Sequence, residues 1–209
     1  EQQGAPIELV VAHDWGGALA WPLAAQRPQL LRRLLILNSP HPATFLRELR
    51  DDAAQQAASA YMTFLCRPDA AQRLAEDDFR RLWRFFADGA GTMPAWLDDA
   101  TRDRYRATWR AGLDGALNYY RASPLRPPAG ADDPLHRLVL DDAQVTVRVP
   151  THVLWGEQDS ALRPGLLDGL ARWVPELVVE RLPDASHWLV HEQPQRVRAT
   201  VLRLLDGAP

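Results

Sequence analysis

The sequence predicts an α/β fold built on a parallel sheet, with a block of helices inserted between its strands. Short apolar runs alternate with helical stretches at the spacing of βαβ units near both ends of the chain. Between them, roughly residues 43 to 121 show helical periodicity and no strand pattern. We therefore expect a sheet domain made of residues 1–42 and 131–209, interrupted by a helical cap over residues 43–130.

The bulk properties of the chain are those of a globular protein. Its 209 residues are 46% hydrophobic and 24% charged, with a net charge of −3. This balance gives no reason to expect nucleic acid or a membrane surface as a partner, and no apolar run is long enough to span a bilayer. The only cysteine, Cys66, excludes an intrachain disulfide and favours a reducing, cytoplasmic compartment.

The first strand and helix meet at a tight turn that contains Asp14. Residues 7–12 form a run that is apolar apart from Glu8, as expected for a parallel strand that is buried on both faces. A helix rich in small residues follows, and Ala12 and Gly16 would let strand and helix approach closely. This is the strand–turn–helix context of a nucleophile elbow, with Asp in place of Ser. Residues 33–37 complete the unit as a second strand.

The rest of the chain is read in the same way. In the cap, Leu113 and Leu117 continue the helical face of Trp109. A linker rich in proline leads out of the cap near residues 124–130. Two further strands are expected at 151–155 and 177–182, with helices at 164–173 and 190–205.

Three polar residues follow the predicted carboxyl ends of parallel strands: Asp14, Asp159 and His187. Ligands of open α/β sheets bind at that edge. The chain order of nucleophile, acid and histidine is the order found in α/β-hydrolases. We therefore expect these residues to form a catalytic triad.

An aspartate nucleophile narrows the chemistry to alkyl transfer. Its carboxylate is ionised near neutral pH and needs no base to attack. Attack on an ester would give an anhydride, whereas attack on a saturated carbon gives an ordinary ester that activated water can hydrolyse. The expected substrate is a small apolar electrophile, an epoxide or a haloalkane, with water as the second reactant. His187 would activate the water and Asp159 would orient His187.

The leaving group decides what else the site needs. Halide requires only N–H donors, whereas an epoxide opens to a basic alkoxide that needs a proton donor such as a phenol. The cap contains four tyrosines: Tyr61, Tyr105, Tyr119 and Tyr120. Each has the alternative of being a core residue whose hydroxyl bonds to the backbone. The backbone N–H of Trp15 would supply half of an oxyanion hole.

Four segments resemble the soluble epoxide hydrolase branch of the α/β-hydrolase superfamily: His13-Asp14-Trp15-Gly16-Gly17, residues 37–42 (Leu-Asn-Ser-Pro-His-Pro), residues 154–159 (Leu-Trp-Gly-Glu-Gln-Asp), and Ser186-His187-Trp188. The resemblance runs from about residue 7 to residue 205. Residues 118–121 (Asn-Tyr-Tyr-Arg) extend it and imply that Tyr120 is a ring-opening tyrosine. Residues 61–64, with Pro68 beyond them, imply the same role for Tyr61.

The resemblance also implies how the sheet is arranged. The four strands would lie side by side, with strand 7–12 at an edge. Members of the branch carry further strands and a His-Gly-x-Pro turn before the elbow, and that turn supplies the second oxyanion donor. The chain is therefore expected to be an N-terminally truncated member of the branch.

Two alternatives to epoxide hydrolysis remain open. One is a haloalkane or haloacid dehalogenase with the same triad, in which Trp15 would bind halide; the other is an inactive fragment. His13 and His41 are interpreted as supports of the elbow and of the cap hinge, and His13 is also a candidate for substrate binding. His136, His152 and His191 lack the spacing of metal ligands, so neither a metal nor a cofactor is expected. The sequence does not define an oligomeric state.

Overall fold

A computed structural model of the chain describes residues 4–207 and contains, within that range, one sheet of four strands. The strands β1 to β4 are Val10–His13, Leu34–Leu37, Thr151–Gly156 and Leu177–Leu182. They lie side by side in chain order, and every neighbouring pair is parallel. The α/β fold class predicted from the sequence is confirmed, and so is the contiguous order of the strands.

Ten α-helices lie in the described part of the chain. In order, α1 to α10 are Trp15–Gln26, Pro42–Asp51, Ala53–Ala58, Tyr61–Leu65, Ala70–Trp83, Asp99–Ala111, Asp114–Ala122, Asp142–Val145, Leu189–Glu192 and Pro194–Leu205. None of these helices is long and apolar enough to cross a membrane.

The middle strands are buried on both faces, as a parallel sheet requires. All four residues of β2 and all six of β3 are buried. Leu34 and Ile36 of β2 point into a core shared with α1. Leu35 and Leu37 point the other way, into a core closed by α9 and α10. The alternation of strand side chains thus sandwiches the sheet between helical layers.

Three predicted helices are shorter or more broken than their hydrophobic patterns indicate. Residues 164–173 form two 3₁₀ turns separated by Gly169, which has a φ of 69°. The closing helix is divided because Pro194 cannot donate a backbone hydrogen bond and so begins α10. The face of Trp109, Leu113 and Leu117 spans two helices, since Gly112, with a φ of 139°, ends α6.

The first strand begins later than the apolar run from Ile7 predicts. Regular pairing starts at Val10, and Ile7 makes only an isolated parallel bridge with Leu31. Between these points the carboxylate of Glu8 pairs with Arg32 at 2.8 Å. A charged residue that remains at the surface thus interrupts the run before the regular strand.

The chain divides into two compact units. One consists of the described parts of residues 1–58 and 128–209 and includes the sheet; the other is Ser59–Pro127 and is helical. The helical unit starts later than the predicted cap boundary at residue 43, because α2 and α3 belong with the sheet. Arg47 of α2 donates hydrogen bonds to the carbonyls of Gly165 and Asp168, which follow β3.

The helical unit has a hydrophobic core of its own. Leu65, Leu74 and Leu117 are among its buried residues. Helix α5 is broken inside this unit, where residues 77–79 all have positive φ values, between 51° and 63°.

Candidate active site

The turn between β1 and α1 holds Asp14 in a strained backbone conformation. Its φ and ψ are 51° and −123°, a region that residues with a Cβ rarely occupy. The Ser39 hydroxyl donates to the Asp14 carbonyl at 2.7 Å, and the Ala18 N–H donates to the same oxygen at 3.0 Å. The turn therefore fixes the backbone and leaves the Asp14 carboxylate 36% exposed at the end of the sheet.

The close approach at this elbow depends on Gly17 and not on Gly16. A Cβ added at Gly16 would lie 4.0 Å from the Ala12 Cβ, which is ordinary van der Waals contact. A Cβ at Gly17 would overlap the side chain of Ser39. The predicted contact between Ala12 and Gly16 is thus not the tight one, because the helix packs most closely against the segment after β2.

The turn after β3 buries the carboxylate of Asp159 completely. Its Oδ1 accepts from the backbone N–H groups of Ala161 and Leu162 at 2.8 and 2.9 Å. Its Oδ2 accepts from the Asn38 amide at 2.8 Å and lies 2.7 Å from the Nδ1 of His187. Burial raises the pKa of Asp159, but the hydrogen bond and charge of His187 and the other donors outweigh it, so the pKa is lowered overall.

His187 follows β4 and connects the two carboxylates. Its Nδ1 faces Asp159, which accepts the Nδ1 proton, and its Nε2 lies 3.4 Å from the Oδ1 of Asp14. Burial disfavours the imidazolium, yet the hydrogen bond to Asp159 and the charges of Asp159, Asp14 and Glu192 together raise the pKa of His187. The imidazole is thus a base whose Nε2 points at the Asp14 carboxylate.

Two further groups hold the loop that carries His187. The Nε2 of His13 lies 2.8 Å from the His187 carbonyl, and the two rings lie 4.7 Å apart. The carboxylate of Glu192 accepts from both the N–H and the hydroxyl of Ser186, each at 2.7 Å. Burial and the nearby charge of His187 lower the pKa of His13, so His13 serves as a neutral support between the elbow and this loop.

Asn38 is a site residue whose role the sequence analysis did not assign. It directly follows β2, is fully buried and has a φ of 34°. Besides binding Asp159, its side chain accepts from the Gly156 N–H at 2.7 Å and donates to the Gly156 carbonyl at 3.2 Å. The sequence does contain a signal for this role, because Asn38, like Asp14, is a polar residue directly after an apolar strand.

The candidate tyrosines lie in the helical unit, Tyr61 at the start of α4 and Tyr120 in α7. Their rings are 6.0 Å apart in an edge-to-face arrangement, and both are partly buried against the core of that unit. The ring of Tyr105 contacts the rings of Trp83 and Trp109. The structure therefore brings together the two tyrosines singled out by the resemblance.

Trp15 is half-buried and begins α1, where the N–H groups of the first turn point out of the helix. His41, the other predicted support, is buried, and its Nε2 lies 2.9 Å from the Val145 carbonyl. Over residues 4–207, no group of three or more His, Cys, Asp or Glu side chains is arranged to hold a metal ion.

Comparisons with known proteins identify the family to which this fold belongs. The sequence model of the α/β hydrolase fold family matches residues 5–194. The chain therefore belongs to the α/β hydrolase family.

Its similar proteins include a Bacillus subtilis protein described as "AB hydrolase superfamily protein YfhM", which is 32% identical over 95% of this chain and 66% of its own. Epoxide hydrolase 3 of Xenopus tropicalis is 28% identical over 92% of this chain and 51% of its own. The chain thus spans about half to two thirds of the length of these curated relatives.

Solved structures of epoxide hydrolases are also similar to this chain. An epoxide hydrolase of Bacillus megaterium, solved in complex with an inhibitor, superposes with a TM-score of 0.84 at 31% identity. That match covers 98% of this chain and 70% of the other. The resemblance to epoxide hydrolases stated from the motifs is confirmed.

Proposed function

We propose that the protein hydrolyses epoxides to diols through an alkyl ester on Asp14. The observation that carries the proposal is the arrangement of three side chains at one sheet edge: Asp14 on a strained elbow, the Nε2 of His187 at 3.4 Å from it, and Asp159 behind His187 at 2.7 Å. The similarity to epoxide hydrolases of Xenopus and Bacillus megaterium supports an epoxide as the substrate.

In the first step a carboxylate oxygen of Asp14 attacks a ring carbon of the epoxide. A C–O bond forms to that carbon while the ring C–O bond breaks, and the freed oxygen takes a proton from a tyrosine hydroxyl. We assign this donation to Tyr120 and Tyr61. Alkoxide is a strong base, and a phenol with a pKa near 10 is protonated at neutral pH and can still donate.

In the second step water attacks the carboxyl carbon of Asp14. His187 takes a proton from the water at Nε2, and its imidazolium then protonates the departing alkoxide, so the diol leaves and Asp14 is left as a carboxylic acid. Transfer of the remaining water proton to the tyrosinate formed in the first step restores both the Asp14 carboxylate and the tyrosine. The charge of Asp159 stabilises the imidazolium and fixes the Nδ1 tautomer. The N–H of Trp15, which directly follows Asp14, is the proposed donor to the developing oxyanion.

A trapping experiment tests the Asp14 ester. In a His187→Gln variant the first step is intact and the second is blocked, so incubation with styrene oxide should leave a stable adduct on the peptide that contains Asp14. Intact-protein and peptide mass spectrometry would detect it. An Asp14→Ala variant is the control and should gain no mass. Absence of any adduct with epoxides and with haloalkanes would instead indicate an inactive chain.

Substitution of Tyr120 distinguishes epoxide opening from dehalogenation. Tyr120→Phe should slow diol formation by about ten- to a hundredfold, because general acids contribute roughly that much or more and Tyr61 remains. Halide release from a haloalkane needs no proton donor and should be unaffected. Tyr119→Phe is the matched control in the same helix. Equal loss of both reactions in Tyr120→Phe would contradict the proposed proton donor.

A small apolar epoxide and water are thus the proposed reactants. The cytoplasm remains the proposed location, on the strength of the single cysteine in the sequence.

A further inference from the structure

The loop after β3 carries the candidate acid, and its geometry determines where the carboxylate lies. We define the acid loop as residues 159–163. Because Asp159 Oδ1 binds the N–H groups of Ala161 and Leu162, the carboxylate is locked to the backbone of its own loop. Any shift of this loop therefore moves the carboxylate, and with it the oxygen that faces His187.

Gln55 holds the other side of the acid loop. Its side-chain amide donates to the Ala161 carbonyl at 2.8 Å, and its side-chain carbonyl accepts from the Arg163 N–H at 3.0 Å. Gln55 thus satisfies one backbone acceptor and one backbone donor, on either side of the buried Leu162. The side-chain amide thus forms the same pair of hydrogen bonds with the loop backbone that a residue of a neighbouring β-strand would form.

The burial of Gln55 makes a purely space-filling role a poor explanation. The residue is 0% exposed in the short helix α3, and glutamine is seldom fully buried. Burying an amide is unfavourable unless its polar atoms are hydrogen-bonded, and an apolar side chain of that size would fill the space without this cost. Both polar ends of the amide are used on the acid loop.

We propose that Gln55 is a positioning residue that holds the acid loop so that Asp159 stays in hydrogen-bond contact with His187. The proposal rests on the proposed function in one respect, that His187 acts as the base in hydrolysis of the Asp14 ester. Gln55 touches neither His187 nor the carboxylate in any of the hydrogen bonds described above. Its influence on the reaction is therefore transmitted through loop geometry.

The neighbouring Gln56 offers a matched control. Its amide donates to the carbonyls of Leu49 and Arg50 at 3.0 and 3.2 Å, at the end of α2. Gln55→Met and Gln56→Met thus each remove hydrogen bonds to two backbone groups from consecutive positions of the same helix. Only the first removes contacts to the acid loop.

The test is an NMR titration of the His187 ring in the full chain and both variants, combined with pH profiles of kcat and KM for styrene oxide. The charged or titratable groups that face His187 are Asp159, Asp14, Glu192 and His13, and all remain in both variants. Gln55→Met should lower the pKa of His187 by about one unit, since a loosened contact with Asp159 stabilises the imidazolium less while burial persists.

The kinetic readout should change in parallel. In Gln55→Met, kcat should fall about tenfold or more with little change in KM, because misplacement of a catalytic group acts on the transition state. Gln56→Met should leave both the His187 titration and kcat unaltered. If His187 titrates in Gln55→Met as it does in the unaltered chain, the positioning role is wrong.

Two additions keep the test decisive. Gln55→Asn keeps a neutral amide with a shorter reach to the acid loop, and it should give an intermediate shift if Gln55→Met does not fold. In the unaltered chain, the Arg163 amide hydrogen should exchange slowly with solvent, and fast exchange would overturn the proposal without any variant. If no epoxide is turned over by any form, the proposed function fails while the His187 titration still reports on Gln55.

Discussion

The two aspartates of this site, Asp14 and Asp159, differ in how far their carboxylates are buried. Asp159 is completely buried, and each of its oxygens has two hydrogen-bond partners, so its carboxylate is fixed in place. Asp14 is 36% exposed on a strained turn, where a substrate can reach it. These surroundings fit the proposed roles, in which Asp159 orients His187 and Asp14 attacks the epoxide.

The raised pKa of His187 predicts the pH dependence of ester hydrolysis. The base must be neutral to accept a proton from water, so the rate should fall as the pH drops through the His187 pKa, which the hydrogen bond and charge of Asp159 and the charge of Glu192 raise against burial. Glu192→Gln removes one of the charges that raise this pKa and should move the acidic limb to lower pH. Single-turnover decay of the ester at a series of pH values measures the shift.

The control for Glu192→Gln is Glu176→Gln, a charge-neutralising change at a carboxylate that is not among the groups acting on His187. It should leave the acidic limb in place. The oxygen of glutamine can still accept from the Ser186 N–H, and its NH₂ group can donate to the Ser186 hydroxyl, so Glu192→Gln removes the charge while both contacts can remain. Equal shifts in both variants would refute the assignment to Glu192.

The meeting of Asp14, Asp159 and His187 was predictable from the sequence because each lies in the turn or loop that follows a strand, and parallel strands end at one edge. Asn38 obeys the same rule and could have been found. Gln55 could not, because it lies in a short polar helix and its partners are backbone groups more than a hundred residues away. Contacts of that kind leave no pattern in the sequence.

At the scale of elements, the end of β3 is pressed against the loop after β4. A Cβ added at Gly156 would overlap the Ser186 carbonyl and come within 2.7 Å of the Ala185 carbonyl. Both contacts are with backbone, which cannot rotate away as a side chain can. Glycine is thus required at position 156, where the end of β3 meets the loop that carries His187.

Gly156→Ala should therefore separate Asp159 from His187. We expect kcat to fall about a hundredfold, which is the usual effect of misplacing a catalytic group by about 1 Å. The free energy of unfolding should fall by about 2 kcal/mol, because the added methyl group overpacks the contact. Enzyme kinetics and urea denaturation measure the two effects.

Gly115→Ala in α7 is the control, because a Cβ there would meet nothing within 4 Å. Alanine favours helix, so this change should leave kcat unaltered and stability equal or slightly higher. A Gly156→Ala variant with unchanged kcat would contradict the close packing of these loops.

The sequence predicted which elements exist better than where they begin and end. All four strands were found, because buried apolar runs are a strong signal. The interruptions at Gly112 and Gly169 were missed, because hydrophobic periodicity continues across a residue whose φ alone ends the helix. The φ angle of a single residue does not change the hydrophobic pattern of the residues around it, so this pattern cannot predict where such a residue ends a helix.

At the scale of the whole molecule, stability should depend on the protonation of His41. Its Nδ1 accepts from the Ala43 N–H at 3.2 Å while its Nε2 donates to the Val145 carbonyl, so both ring nitrogens of the neutral form are hydrogen-bonded. Burial lowers the pKa of His41 to about 4. Because the unfolded chain protonates His41 near pH 6.5 and the folded chain only near pH 4, stability is lost as the pH falls between these values.

Between pH 7 and pH 5 this histidine should account for a loss of about 2 kcal/mol in the free energy of unfolding. Urea denaturation of the unaltered chain and of His41→Asn at both pH values isolates its share. Asparagine can still cap α2 but does not titrate, so the variant should start less stable at pH 7 and lose less on acidification. Parallel losses in both proteins would contradict the buried neutral ring.

The hydrogen bond between His13 and the His187 carbonyl joins residues that are 174 positions apart. A ribosome therefore releases the elbow long before it releases the histidine loop. The contact cannot form until all the intervening residues have been synthesised, and long-range contacts of this kind form slowly. In the proposed mechanism hydrolysis of an alkyl ester on Asp14 needs His187, whereas formation of the ester does not. The onset of ester hydrolysis during refolding would accordingly report when these two distant segments meet.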